Sequence, residues 1–127
     1  MSVDMETGQH VIGTYKTGQY VGEIVGQRGG FYVVKVLAVK KHPTQGDLHN
    51  PRQTDVPLFQ ERRALAYTEK ANMPNTHVKP YEGEISDYRT SLKVALDELR
   101  QKLEMDDTEW AKKSIENLNT LEADYFK

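Results

Sequence analysis

Apolar and polar residues alternate along the first part of the chain with a period of two, which predicts β-strands. The alternation predicts strands over residues 11–15 and 20–26, separated by a break at residues 16–18. Gly29 and Gly30 follow the second strand, and such a pair is typical of the tight turn in a β-hairpin. This part of the chain is therefore expected to form short antiparallel strands.

The clearest predicted strand covers residues 31–39, FYVVKVLAV. Both of its faces carry mostly apolar, β-branched or aromatic side chains, so we expect the strand to pass through the core. A further strand is predicted over residues 63–69 and a shorter one at residues 77–78, with a loop over residues 71–75 between them.

Residues 42–60 form a long predicted loop, HPTQGDLHNPRQTDVPLFQ, in which proline and small polar residues dominate. Loops of this length inside a compact domain are uncommon and are often functional. We expect Leu58 and Phe59 to close the bottom of the fold, and the polar portion, residues 42–55, to face solvent.

From Ile85 the period changes to 3.6, which predicts helices. The first helix places its apolar residues on one face: Ile85, Tyr88, Leu92, Ala95, Leu96, Leu99 and Leu103. Asp106, with Glu109 three residues later, is the predicted N-cap of a second helix. That helix has its own apolar face: Trp110, Ile115, Leu118, Leu121 and Tyr125. A short connection makes the two helices antiparallel, and we expect Ile85, Tyr88 and Trp110 to dock on the strands.

The predicted fold class is mainly β plus α: a small SH3-like antiparallel β-barrel followed by a C-terminal antiparallel two-helix hairpin. About five strands are too few for a sandwich, which needs about seven. We expect a barrel domain over residues 1–82, with its long loop at 42–60, and the helical hairpin over residues 83–127.

Composition narrows the class of protein. The formal net charge of −2 divides into +2 for residues 1–83 and −4 for residues 84–127, which is consistent with two structural parts. The chain has no cysteine, which excludes disulfides, thiolate metal sites, cysteine nucleophiles and a lipid-modified cysteine. No apolar run resembles a secretory signal or approaches the roughly 20 residues of a membrane span. The expected location is the cytoplasm, without direct membrane insertion.

Catalytic chemistry finds little support in the sequence. His42, Asp47 and His49, with Asp55, could hold a divalent metal, but their spacing matches no established metal motif. A turn at Asp47, with histidines bonded to the loop backbone, explains the same residues. The sequence has no G-x-S-x-G motif, and its glycine-rich stretch at residues 26–30 leads into a strand. We expect no enzyme activity, no metal and no cofactor.

Nucleic-acid binding is an alternative, because small barrels often bind nucleic acid. Five basic residues could line one side of the barrel: Lys40, Lys41, Arg52, Arg62 and Arg63. A pI of about 6.1 argues against a dedicated nucleic-acid binder, which usually carries a basic footprint.

Protein–protein interaction is the favoured class, because a long polar loop on a rigid scaffold suits recognition. The candidate partner-binding residues are His42, Gln45, Asp47, His49, Asn50 and Arg52. Gln45, His49 and Arg52 are expected to be exposed. An acidic helical hairpin could also offer its outer face to a partner helix, or pair with a second copy of the chain.

Three segments, FYVVKVLAVKKHPTQGDLHNP, RRALAYTEKANMP and KPYEGEISDYRTSL, resemble the kinase-associated protein B family of spore-forming Gram-positive bacteria. The resemblance runs from about residue 8 to beyond residue 100, and HPTQGDLHNP is its most distinctive string. It implies a β-barrel-like sheet with a helical extension and no catalytic residues.

The resemblance also implies a role in activating a membrane sensor histidine kinase that feeds the sporulation phosphorelay. The implied partner is that kinase or an associated signalling protein. Some family names include "lipoprotein", whereas this chain has no cysteine to acylate. Any position near the membrane would then come through the partner.

Overall fold

The computed structural model describes residues 5–45 and 61–127. In this part of the chain, five strands form one antiparallel sheet in the order β4-β3-β2-β1-β5. The strands are β1 (His10–Tyr15), β2 (Gly18–Arg28), β3 (Phe31–Lys41), β4 (Lys70–Pro74) and β5 (Val78–Pro80). A single 3-10 turn, Asn75–His77, links the last two strands. The predicted small barrel of about five strands is confirmed.

The sheet curls until β1 and β4, which are not neighbours in the sheet, approach each other across its interior. Gly13 of β1 makes this approach possible, because a β-carbon there would lie 2.6 Å from the sulfur of Met73 on β4. Met73 and Val11 are both fully buried at this point. The sheet therefore encloses a core instead of remaining open.

The strand predicted over residues 63–69 is wrong, and so is the loop predicted over residues 71–75. Ala71 and Met73 point into the core from β4, although Asn72 and Pro74 give the segment a loop-like composition. Residues 61–66 lie in irregular backbone, and residues 67–68 form a turn. The backbone of residues 62–65 forms hydrogen bonds with side chains from other parts of the fold and not with a neighbouring strand.

Only one face of β3 is fully buried. Tyr32, Val34, Val36 and Ala38 face the core, whereas Phe31 on the other face is 45% exposed. The strand therefore passes through the core, as expected, but for most of its length only one face is fully buried. The outer face is half-covered, which is common for a sheet with one solvated side.

Two helices follow the sheet, α1 (Tyr88–Glu104) and α2 (Glu109–Tyr125). Asp87 caps α1 by accepting a hydrogen bond from the backbone of Thr90, and Thr108 caps α2. The prediction of Asp106 as the cap of α2 is wrong, because its carboxylate instead accepts from the backbone of Thr108 at 3.1 Å.

The helices run antiparallel, as predicted: Lys93, early in α1, forms an ion pair with Glu122, late in α2. Leu92 and Ala95 of α1 belong to the barrel core, so α1 lies on the sheet. A second cluster lies between the helices: Leu96, Leu103, Trp110, Ala111 and Leu118. The division between residues 82 and 83 stays a prediction, and the two proposed parts share a core.

Candidate partner-binding site at the neck of the long loop

The chain enters the long loop at residues 42–45, directly after β3, and leaves it at residues 61–64. These two stems form the neck of the loop. His42 and Gln45 are each only 3% exposed, although the sequence predicts a solvated loop here. A buried polar side chain must find hydrogen-bond partners, so the neck is expected to be closely bonded.

Gln45 joins the two stems directly. Its side-chain oxygen accepts from the backbone N–H of Arg62 at 2.8 Å, and its amide nitrogen donates to the Arg62 carbonyl at 2.8 Å. The same amide donates to the Pro43 carbonyl at 3.0 Å. The Gln45 side chain thus makes the pair of hydrogen bonds to Arg62 that the backbone of a neighbouring strand would otherwise make. These bonds hold the two stems together.

Tyr125, near the end of α2, bridges the same two stems. Its hydroxyl lies 2.9 Å from Nε2 of His42 and 2.8 Å from the backbone nitrogen of Ala64. Ala64 can only donate, so the hydroxyl accepts from it and donates its own proton to His42. Nδ1 of His42, 3.0 Å from the Pro43 carbonyl, then carries the ring proton.

The pKa shifts of His42 and Tyr125 are consistent with these hydrogen-bond directions. Burial lowers the pKa of His42 to about 4, which keeps the imidazole neutral near pH 7. Burial also raises the pKa of Tyr125, so its hydroxyl stays protonated and able to donate. Arg63 lies over the Tyr125 ring at 5.3 Å and forms an ion pair with Asp124, which covers the outer side of the ring.

The other end of α2 also contacts the neck. The indole nitrogen of Trp110 donates to the backbone carbonyl of Gln45 at 3.3 Å. Trp110 and Tyr125 therefore hold the neck from opposite ends of one helix. The sequence predicts Trp110 docking, but its pattern shows Tyr125 only as part of an apolar stripe.

Two further tyrosines complete the exit stem. Tyr20 of β2 accepts a hydrogen bond at its hydroxyl from the backbone of Leu65 at 3.2 Å. Tyr88 of α1 donates to the Leu65 carbonyl at 2.6 Å. Burial raises the pKa of Tyr20 to about 12, so its hydroxyl does not ionise at neutral pH. The predicted docking of Tyr88 is confirmed by this contact.

The predicted partner-binding residues divide into two groups. The expected exposure of Gln45 is wrong, and His42 is equally buried, so both side chains hold the neck. Asp47, His49, Asn50 and Arg52 lie outside the described residues.

Three of the four residues proposed to hold a metal lie outside the described residues: Asp47, His49 and Asp55. His42 already uses both ring nitrogens in bonds to protein groups. Within residues 5–45 and 61–127, no three histidine, aspartate or glutamate side chains gather as a metal site would require.

The described basic residues of the nucleic-acid alternative differ in their surroundings. Arg63 is paired with Asp124, and Arg52 lies outside the described residues. Lys40 and Lys41 end β3 and are exposed. They line a cleft of about 390 Å³ with Lys102 of α1, which lies 61 positions after Lys41 in the chain and which no sequence pattern indicates as a neighbour.

Comparison with known proteins places this architecture in a family. The sequence pattern of the family described as kinase associated protein B matches residues 15–126. The chain therefore belongs to the kinase-associated protein B family, as the three sequence segments indicate.

Two relatives support the assignment. The chain is 56% identical over 121 residues to the kinase-associated lipoprotein B of Bacillus subtilis (strain 168), which covers 95% of this chain and 94% of that protein. The crystal structure of kinase-associated protein B from Bacillus cereus is similar to the fold with a TM-score of 0.82 at 47% identity. It covers 96% of this chain and 98% of that one.

Neither helix in the described part of the chain has the length and apolar character needed to cross a membrane.

Proposed function

We propose that this chain is a non-catalytic accessory protein that binds a sensor histidine kinase, or a signalling protein associated with one, and thereby regulates the sporulation phosphorelay. The names of the family and of the two relatives, which describe association with a kinase, support a kinase partner. The chain acts by binding, in the cytoplasm, and reaches the membrane only through its partner.

The observation that carries this proposal is the double closure of the neck by Gln45 and Tyr125. A recognition loop loses conformational entropy when it binds, and a pre-formed base reduces that loss. The Gln45 side chain is buried, the Tyr125 side chain is half-buried, and both are engaged in these bonds, so we assign neither of them to partner contact. Residues 46–55 supply the proposed contacts, with His49, Asn50 and Arg52 as the main candidates.

The first experiment is a pull-down with the full chain from cytoplasmic and membrane fractions, at low and moderate salt, with mass spectrometry of the retained proteins. A retained histidine kinase is then purified, and its affinity is measured by calorimetry. The affinity should fall in the triple variant His49→Ala, Asn50→Ala, Arg52→Ala and stay unchanged in Lys70→Ala, an exposed control on β4.

Two results would contradict the proposal. Unchanged kinase affinity in the triple variant would remove the loop as the contact. Retention of RNA or ribosomal proteins that disappears as salt rises would instead favour the nucleic-acid alternative, because phosphate contacts weaken steeply with salt.

A further inference from the structure

The cleft between the end of β3 and α1 has an unusual charge pattern. Among the described residues, its rim carries three exposed ammonium groups, those of Lys40, Lys41 and Lys102, and one carboxylate, that of Glu98. His42 lies in the wall and is neutral, so it adds no charge. At neutral pH the cleft therefore has a local charge of about +2 in a chain whose net charge is −2.

Several cations of the helical hairpin are neutralised by ion pairs within the hairpin. Lys93, Arg100, Lys112 and Lys127 each form an ion pair with a carboxylate. By contrast, Lys40, Lys41 and Lys102 make no ion pair with any described residue. Three unneutralised positive charges around a concave surface attract an anionic ligand and raise its local concentration.

The remaining polar groups of the cleft can also donate hydrogen bonds. The hydroxyl oxygen of Thr17 accepts from the backbone N–H of Thr44 at 2.9 Å, which leaves the hydroxyl proton of Thr17 available. Gln19 and Thr44 add an amide and a second hydroxyl to the lining. An ionised carboxylate only accepts hydrogen bonds, so these donor groups are suited to bind one.

The cleft has an apolar floor and continues along α1. Ala95 and Leu99 form the floor between the lysines. Lys40, Ala95 and Glu98 also line a second cleft, which extends to Val94, a valine that is 51% exposed. One groove thus joins a basic end to a mixed end, where Val94 and Ile85 lie among hydroxyl groups and the carboxylate of Glu84.

We propose that this groove binds an acidic segment of a protein partner, with carboxylates at Lys40, Lys41 and Lys102 and a neighbouring apolar side chain over Ala95 towards Val94. The inference rests on the proposed function, because it names a second contact surface for the same class of partner. One aromatic ring lines the groove beside its basic end, since the Lys40 ammonium lies 5.9 Å from the centroid of the Tyr81 ring. The net charge of −2 and the pI of about 6.1 are what disfavour a nucleic-acid ligand.

The test uses the full chain and a short fluorescent peptide with glutamates in one half and leucine and valine in the other. Fluorescence anisotropy gives its affinity, and amide shifts in 15N NMR spectra locate it. We expect binding that weakens with salt, and shifts at Thr17, Thr44 and Lys102. The double variant Lys41→Ala, Lys102→Ala should bind roughly two- to thirtyfold more weakly, since each of the two exposed charge pairs contributes about 0.2–1 kcal/mol.

The matched control is Lys70→Ala, Lys79→Ala, which removes the same charge from exposed positions on β4 and β5. It should leave the affinity within about twofold of the parent chain. The variant Lys102→Glu lowers the local charge of the cleft from about +2 to about 0, so it should bind the peptide more weakly than Lys102→Ala does. Circular dichroism melts confirm that each variant is folded.

Equal loss of affinity in the two double variants would overturn the proposal, since non-specific charge would then explain binding. Amide shifts outside the groove, or tighter binding of a labelled RNA of equal charge, would overturn it as well.

A kinase that binds the parent chain and the Lys41→Ala, Lys102→Ala variant equally would refute the groove and leave the loop proposal intact. If only the loop variant loses kinase affinity, the loop is the contact and the groove is not. If only the groove variant loses it, the groove is the contact and the loop is not.

Discussion

The hydroxyl of Tyr125 lies 2.9 Å from Nε2 of His42, although 83 residues separate the two in the chain. The same hydroxyl accepts a hydrogen bond from Ala64, so the C-terminal helix closes both stems of the long loop. The loop neck and the helical hairpin are therefore one structural unit. Changes in α2 should alter the region that we propose for partner recognition.

Replacing Tyr125 with phenylalanine should destabilise the fold. Tyr125→Phe keeps the ring but leaves the Nε2 acceptor of His42 and the N–H of Ala64 without their shared partner. Each buried unsatisfied group costs about 1–3 kcal/mol, so the free energy of unfolding should fall by about 2 kcal/mol or more. Urea denaturation measures this change.

Tyr67→Phe is the matched control, because Tyr67 is 57% exposed and its hydroxyl bonds to none of the described residues. Its stability should stay within about 0.5 kcal/mol of the parent chain. Equal stability of the two variants would show that the Tyr125 bridge does not hold the neck.

Stability should decline in mild acid because of His42. Its pKa is about 4 in the folded chain and about 6.5 in the unfolded chain, so the unfolded state binds more protons between these values. The free energy of unfolding is therefore highest above about pH 6.5 and falls as the pH drops towards 4, by roughly 3 kcal/mol in total. Urea denaturation across this range measures the slope.

The variant His42→Gln isolates this contribution. Glutamine does not titrate, so the decline between pH 6.5 and 4 should become shallower, whatever the variant does to absolute stability. An unchanged slope in His42→Gln would assign the pH dependence to other groups.

Ser91 should be the polar residue that fastens α1 to the sheet. Its hydroxyl oxygen accepts from the buried backbone N–H of Val39 on β3 at 3.0 Å and donates to the Tyr88 carbonyl at 2.8 Å. Ser91→Ala leaves the Val39 donor unsatisfied and should cost about 1–3 kcal/mol in the free energy of unfolding. Thermal and urea denaturation both report this loss.

Ser114 on α2 provides the opposite case. It is fully buried, and its hydroxyl has no hydrogen-bond partner among the described residues. Ser114→Ala removes an unsatisfied polar group and should leave stability unchanged or raise it. Should Ser114→Ala prove as destabilising as Ser91→Ala, hydrogen bonding would not be the reason for the Ser91 effect.

Gly22 should not tolerate a side chain. A β-carbon there would lie 2.6 Å from a methyl carbon of Val34 and would meet the backbone carbonyl group of Lys35 on β3. Backbone of the neighbouring strand cannot rotate away as a side chain would, so Gly22→Ala should cost about 2–4 kcal/mol.

Gly30, in the turn between β2 and β3, is the control. A β-carbon at Gly30 would meet no heavy atom within 4 Å, so Gly30→Ala should be nearly neutral. Comparable melting temperatures for the Gly22 and Gly30 variants would mean that the β2–β3 spacing is less tight than the structure shows.

Local patterns predicted most of the elements. The alternation over residues 31–39 and the helical stripes that include Leu92 and Leu118 lie where expected, because each pattern reflects a buried face. The errors occur where a local signal competes with a distant partner. Asn72 and Pro74 indicate a loop, yet pairing with β3 makes the segment a strand.

The candidate site was predicted less well than the fold. Composition marks residues 42–60 as a long loop, and residues 46–60 lie outside the described part of the chain. It also marks Gln45 as solvated, and Gln45 is buried. The reason is that two partners of Gln45, Arg62 and Trp110, lie 17 and 65 residues away in the chain. No pattern within a short window can contain such partners.

The sequence by itself determined the family and the small barrel with its helical hairpin. These depend on periodicity, on turn residues and on characteristic strings of residues, all of which are local. Only the tertiary structure decided that Tyr125 and His42 meet at the neck and that Lys102 joins Lys40 and Lys41 around one cleft. Hydrogen bonds and charge clusters depend on distances of a few ångströms, and folding sets those distances between residues that are remote in the chain.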